Sequence, residues 1–102
     1  MKLHHHIGPI KGVSSEYLCD LTTDLDVLSG SDWFYHYIII DDYAIKNGCL
    51  PIRVHGGTVG GLNFDENHII TNIAVDTDYV VKTYPTNVNE IIQKYIGQKV
   101  EW

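Results

Sequence analysis

The chain has 102 residues, 44% of them hydrophobic and 11% aromatic, and a formal net charge of -6. That length suits a single domain, residues 1–102, with a core of its own. The composition excludes a disordered chain, and no apolar run nears the roughly 18 residues a membrane helix requires. Lys2 is followed by His4, His5 and His6 where a secretory signal needs an apolar core, so the sequence reads as that of a cytoplasmic protein with no membrane partner.

In chain order, residues 2–7 alternate as a short edge strand would, and Gly8-Pro9 ends it. Residues 14–29 read as a helix capped by Ser14, with Tyr17, Leu18, Leu21, Leu25 and Leu28 on one stripe. The rival reading is a strand over residues 16–22 and then an acidic loop, because Thr22, Thr23, Asp24 and Asp26 are poor helix formers. After a turn at residues 29–32, residues 33–40 form an aromatic and β-branched run. Phe34, His36, Ile38 and Ile40 share one face, and Trp33, Tyr35, Tyr37 and Ile39 the other. A strand apolar on both faces belongs in the middle of a sheet. If no second helix covers it, a second copy of the chain would, so a homodimer is expected.

Residues 43–48 read as a short strand ending in an Asn47-Gly48 hairpin turn, with residues 49–55 returning across it. Pro51 then belongs where no ladder bond is required. Residues 56–61 carry four glycines in six positions and read as a flexible loop. Strands are expected over residues 68–75 and 79–84, with short turns that imply antiparallel pairing. The clearest local pattern is C-terminal. Asn87 caps a helix with Glu90 reaching back, and Val88, Ile91, Ile92, Tyr95 and Ile96 form its apolar stripe. Gly97 supplies a left-handed end, and alternation from Lys99 to Trp102 suggests a short final strand. The sum is an α+β fold: an antiparallel β-sheet of about five strands with a C-terminal α-helix packed on one face.

No metal or cofactor is expected. The spacing of Asp20, Thr22, Asp24 and Asp26 resembles a calcium loop, but it lacks the glycine at the sixth position and the glutamate at the twelfth. His4 and His6 share a strand face, yet nothing fixes His55 or His68 as a third zinc ligand, and His36, inside the apolar run, reads as a core or interface histidine. Cys19 and Cys49 form no C-x-x-C pair and read as small core residues. Pairing either with His55 or His68 as nucleophile and base rests on no motif, so the chain is not expected to be an enzyme.

Two functional readings remain. Between Lys11 and Lys46 there is no Lys or Arg, while Glu16, Asp20, Asp24, Asp26, Asp32, Asp41 and Asp42 fall in that interval. This field repels nucleic acid and favours a basic protein partner. The first reading is therefore a small acidic inhibitor of the immunity-protein or phage-inhibitor type, viral or from a mobile element, that occludes a basic surface. Asp24, Asp26, Asp32, Asp41 and Asp42 supply its charge, and Trp33 and Tyr35 its aromatic contacts. Neutralising Asp24, Asp26, Asp41 and Asp42 should then slow association and leave stability unchanged or slightly higher. The alternative is a binder of a small anionic, nucleotide-like ligand, using Arg53, His55, Gly56, Gly57, Thr58, Gly60 and Gly61 as a cradle of amides beside the only arginine.

Overall fold

A computed structural model describes residues 1–6, 16–29, 35–54, 57–75 and 88–102. Six antiparallel strands lie side by side in chain order: β1 (His4–His6), β2 (Glu16–Leu18), β3 (Tyr37–Ile39), β4 (Cys49–Val54), β5 (Gly57–Phe64) and β6 (Ile70–Val75). Three described helices accompany them: α1 (Asp20–Ser29), α2 (Asp42–Asn47) and α3 (Val88–Tyr95). The α+β class is as expected, with one strand more than the sequence suggested.

The register explains which face is buried. Tyr17 lies opposite Ile38, Ile38 opposite Ile52, Leu50 opposite Leu62, and Leu62 opposite Ile73. These residues share the inner face because neighbours on adjacent strands point the same way. Leu21 and Leu25 of α1, Ala44 of α2, and Val88, Ile92 and Tyr95 of α3 join them in one core cluster. Each fully buried Leu or Ile contributes about 1.5–3 kcal/mol before entropy is subtracted. β3 does occupy a central place, third of six strands. Its second face carries Tyr37, only 4% exposed, and on β2 the neighbouring Glu16 is 1% exposed. That face, from which self-association was inferred, is buried at Tyr37 and half-buried at Ile39 within one chain. Trp33 and Phe34 lie outside the described residues.

α3 matches its expected boundaries, and Gly97 has the expected positive φ of 91°; its expected cap, Asn87, lies outside the described residues, as does the strand expected over residues 79–84. Three other expectations are corrected. Neither reading of residues 14–29 holds whole, since β2 ends at Leu18 and α1 begins at Asp20. The Thr22 hydroxyl accepts from the Cys19 amide at 2.9 Å and donates to the Cys19 carbonyl at 2.8 Å. Thr22 thereby makes the reach-back bond of a capping box, so a poor helix former starts the helix.

Residues 43–47 are helix, not strand. The Asp41 carboxylate caps α2 by accepting from the Ala44 amide at 2.7 Å. Gly48, at φ 68°, closes the helix with its amide on the Ala44 and Ile45 carbonyls. A left-handed residue serves a helix end as well as a hairpin turn.

The glycine-rich stretch is mostly strand. Gly57, Gly60 and Gly61 belong to β5, which pairs with β4 on one side and β6 on the other. A Cβ on Gly60 would stand 2.1 Å from the Ala74 carbonyl oxygen, and one on Gly61 2.8 Å from Cys49 Sγ. Glycine is here because strands and a side chain approach closely. A register shift between Ile52 and Arg53 sets Arg53 opposite Thr58. The β3–β4 ladder comprises Tyr37–Arg53 and Ile38–Ile52 and stops short of Pro51, so the proline costs no bond on that side.

The chain after α3 returns to the sheet. Val100 donates to His68 and Ile70 to Gln98 on one side; Leu3 donates to Glu101 and Glu101 to Met1 on the other, at 2.7–2.9 Å. The expected final strand takes the form of two bridges, Ile69–Lys99 and Lys2–Glu101.

Candidate functional site

Most of the acidic residues singled out in the sequence have roles inside the fold. On α1, Asp24 accepts a hydrogen bond from the Tyr95 hydroxyl of α3 and an ion pair from Lys94 Nζ at 3.2 Å. The Tyr95 bond, more than the lysine charge, holds the Asp24 carboxyl below the ordinary carboxylate range. Burial and the same bond push the Tyr95 hydroxyl up. Asp26 receives His36 Nδ1 at 2.8 Å and also the His36 backbone amide; His36 is wholly buried. Asp41 is the α2 cap. Asp20 and Asp42 are exposed in the first turns of their helices. The field of carboxylates without counter-groups is therefore smaller than the sequence suggests: Lys94, His36 and helix amides arrive from elsewhere in the chain. The expected indifference of stability to neutralising Asp24, Asp26 and Asp41 does not fit these bonds. Asp32 lies outside the described residues, as do Trp33, His55 and Gly56.

Tyr35, half-buried, is engaged within the chain too. Its hydroxyl donates to Glu16 Oε1 at 3.0 Å, and its ring lies 5.5 Å from that of Tyr37. Burial first, then the Glu16 bond and charge, push the Tyr35 hydroxyl up to about 12. Glu16 Oε2 and Arg53 Nε are buried without hydrogen-bond partners. For the alternative reading, Arg53, Gly57, Thr58, Gly60 and Gly61 do come together, but as paired strand residues of β4 and β5. Of these, Thr58, Gly60 and Gly61 border a depression of about 450 Å³ with Cys49, Val59, Asn63, Ala74 and Val75, and Arg53 and Gly57 are not part of its lining. Its glycine-bearing strand is hydrogen-bonded on both sides, so the expected loop of amides free to cradle an anion is not what β5 provides. Cys19 and Cys49 are both free thiols, and burial raises the pKa of Cys19. Among the described residues no three His, Cys, Asp or Glu side chains converge on one point.

A cleft that the sequence reading missed lies between α2 and the β5–β6 turn. Ile45, Lys46, Asn47 and Gly48 form one wall and Phe64, Asp65, Glu66 and His68 the other, around about 290 Å³. The turn is rigidly tied: Asp65 Oδ1 accepts from the Asn67 and Ile69 amides at 2.8 and 3.0 Å, and the His68 amide donates to the Asp65 carbonyl. His68 is held at φ 63°, a left-handed conformation costly for a side chain other than glycine. Its carbonyl meanwhile accepts from Val100, and its ring stacks on Trp102 at 4.6 Å and 21°. Phe64 meets both rings edge-on, at 5.5 and 5.7 Å. Ile45 and Trp102 remain 38% and 36% exposed. Asp65 and Glu66 line the cleft and are exposed, as are Asp42 at the start of α2 and Glu101 beside Trp102 in the chain. No sequence spacing unites Phe64, His68 and Trp102; the return of the tail to the sheet does.

Comparison with protein-family models, curated proteins and solved structures finds no match.

Proposed function

We propose that the protein is an acidic interaction module that occludes a basic surface on a partner protein, as immunity proteins and phage-encoded inhibitors do. The observation that carries this reading is the composition around the α2 cleft. Exposed aliphatic and aromatic groups, Ile45 and Trp102, accompany the exposed carboxylates Asp42, Glu66, Glu101 and Asp65, whose Oδ1 also holds the turn, with Lys46, Lys2 and Lys99 as opposing charges. Apolar anchors within a charged rim are the usual anatomy of a protein interface, and the rim charge sets the encounter rate. The acidic surface enters through Asp20 and Asp42 rather than through Asp24, Asp26 and Asp41, whose carboxylates are engaged internally.

The test is capture of partners from host lysate, then association kinetics at two salt concentrations. Neutralising Asp20, Asp42, Glu66 and Glu101 to Asn or Gln should slow association several-fold at low salt and flatten its salt dependence, because screening acts over about 8–10 Å. Equal association rates for the neutralised and native chains would sink the reading.

A further inference from the structure

We infer that the cleft between α2 and the β5–β6 turn receives an arginine side chain of the partner; this rests on the acidic-module reading above and names the group recognised. Three observations point to that chemistry. The cleft, about 290 Å³, lies at the bottom of the roughly 300–1,000 Å³ range of small-molecule pockets, which suits one long side chain better than a cofactor. Its aromatic wall is fixed, since His68 is clamped between the Asp65 turn and the tail and stacked on Trp102. Asp65 and Glu66 stand on the same wall, exposed. A guanidinium is the planar cation that both stacks on rings and pairs with carboxylates, whereas a lysine ammonium is a point charge with no flat face. Ile45 on the opposite wall meets the aliphatic stem of such a side chain.

Lys46 also lines the cleft, and its charge opposes the entering group. It lies four residues after Asp42, the helical spacing at which an acid and a base pair favourably, so it has a place to withdraw to. Lys46 therefore weakens the native site, and its removal should strengthen binding. A neutral or anionic occupant predicts no such gain.

The experiment uses the full chain, isotopically labelled, in an amide-shift titration with three capped tripeptides, Gly-X-Gly, where X is arginine, lysine or the neutral isostere citrulline. The arginine peptide should move the amides of residues 45–48 and 64–68 and the Trp102 indole. Lysine should bind less tightly and citrulline not measurably. Glu66→Gln should weaken the arginine peptide about two- to five-fold, the size of one exposed ion pair, and Lys46→Ala should tighten it by a similar factor. Both positions are exposed, and the free variants' spectra verify that they fold. Arginine-dependent shifts spread over Asp20 and Asp42 without a centre at the cleft would overturn the assignment of the site while leaving the acidic-module reading standing. Equal binding of citrulline at the cleft would overturn both. Concentration-dependent shifts at the cleft without any peptide would make a second copy of the chain the occupant and overturn the arginine assignment.

Discussion

Replacing Asp24 by Asn separates a structural carboxylate from a functional one. In the native chain Asp24 joins α1 to α3 through the Tyr95 hydroxyl and Lys94 Nζ. Hydrogen bonds to a charged group contribute about 1.5–3 kcal/mol net against 0.5–1.5 for neutral ones. Asn keeps an acceptor oxygen, so the variant loses the difference, about 1 kcal/mol, plus a few tenths from the largely exposed lysine pair. A total near 1–2 kcal/mol lowers the melting temperature of a domain of this size by about 5–15 °C. The sign with pH follows from the lowered Asp24 pKa. A depressed carboxyl contributes stability that is fully present above its unfolded value of 3.8 and is lost as pH falls through the folded value. The gap between native chain and variant should therefore be constant from about pH 5 to 8 and close in more acid solution. Tyr95 acts in the opposite sense. Its raised pKa makes its contribution complete below the ordinary 10.0 and lost as pH climbs through the folded value. Thermal melts followed by circular dichroism across this pH series are the assay, with Asp24→Asn repeated in a Tyr95→Phe background, where it should cost less. Identical melting of variant and native chain at pH 7, or a gap that persists undiminished at pH 2, would refute the reasoning.

Asp41→Ala should cost about 0.5–2 kcal/mol by removing the α2 cap, read as a lower denaturation midpoint and as lost hydrogen-exchange protection at Ala44; unchanged protection there would mean that Asp41 does not hold the helix. Gly60→Ala should cost about 1–3 kcal/mol or more, because the added methyl meets the Ala74 carbonyl at 2.1 Å. Gly57→Ala, where among the described residues no atom beyond the chain neighbours lies within 4 Å of the added carbon, is the control and should melt close to the native chain. Equal melting of the two variants would place β5 wrongly against β6.

What was legible in the sequence was what side-chain periodicity encodes. The stripe through Val88, Ile92 and Tyr95 identified α3 because a helix burying one face against a sheet must repeat near 3.6 residues. The strand read over residues 49–55 as the return from Asn47-Gly48 is present as β4, which buries Leu50, Ile52 and Val54 at alternate positions. Illegible were the places where one residue serves two geometries. Gly48 satisfies a helix end and a hairpin turn equally, and the Asp41 bond to Ala44 decides between them. Gly57, Gly60 and Gly61 present no side chain from which a period can be read, so a strand held by its neighbours looked like a loop. For the site, local charge counting failed for a further reason. It treats Asp24 and Asp26 as unopposed, whereas the folded chain brings Lys94 and His36 to them from 70 and 10 residues away. The Phe64, His68 and Trp102 cluster was hidden in the same way, assembled from the β5–β6 turn and the chain terminus.

The clasp made by residues 98–101 has a kinetic meaning. Neighbouring strands follow one another in the chain, so their pairings stay near in sequence, directly at β4–β5 and β5–β6 and across α1 and α2 at β2–β3 and β3–β4. The clasp is the exception, joining residue 99 to residue 1 across 98 positions. It bonds to the chain beside β6 and beside β1 at once. Release of both sets of bonds together is a sub-global opening that frees the two margins at once. That opening unpairs backbone donors and acceptors on two strands simultaneously, which makes it the excursion from which this chain would begin to aggregate.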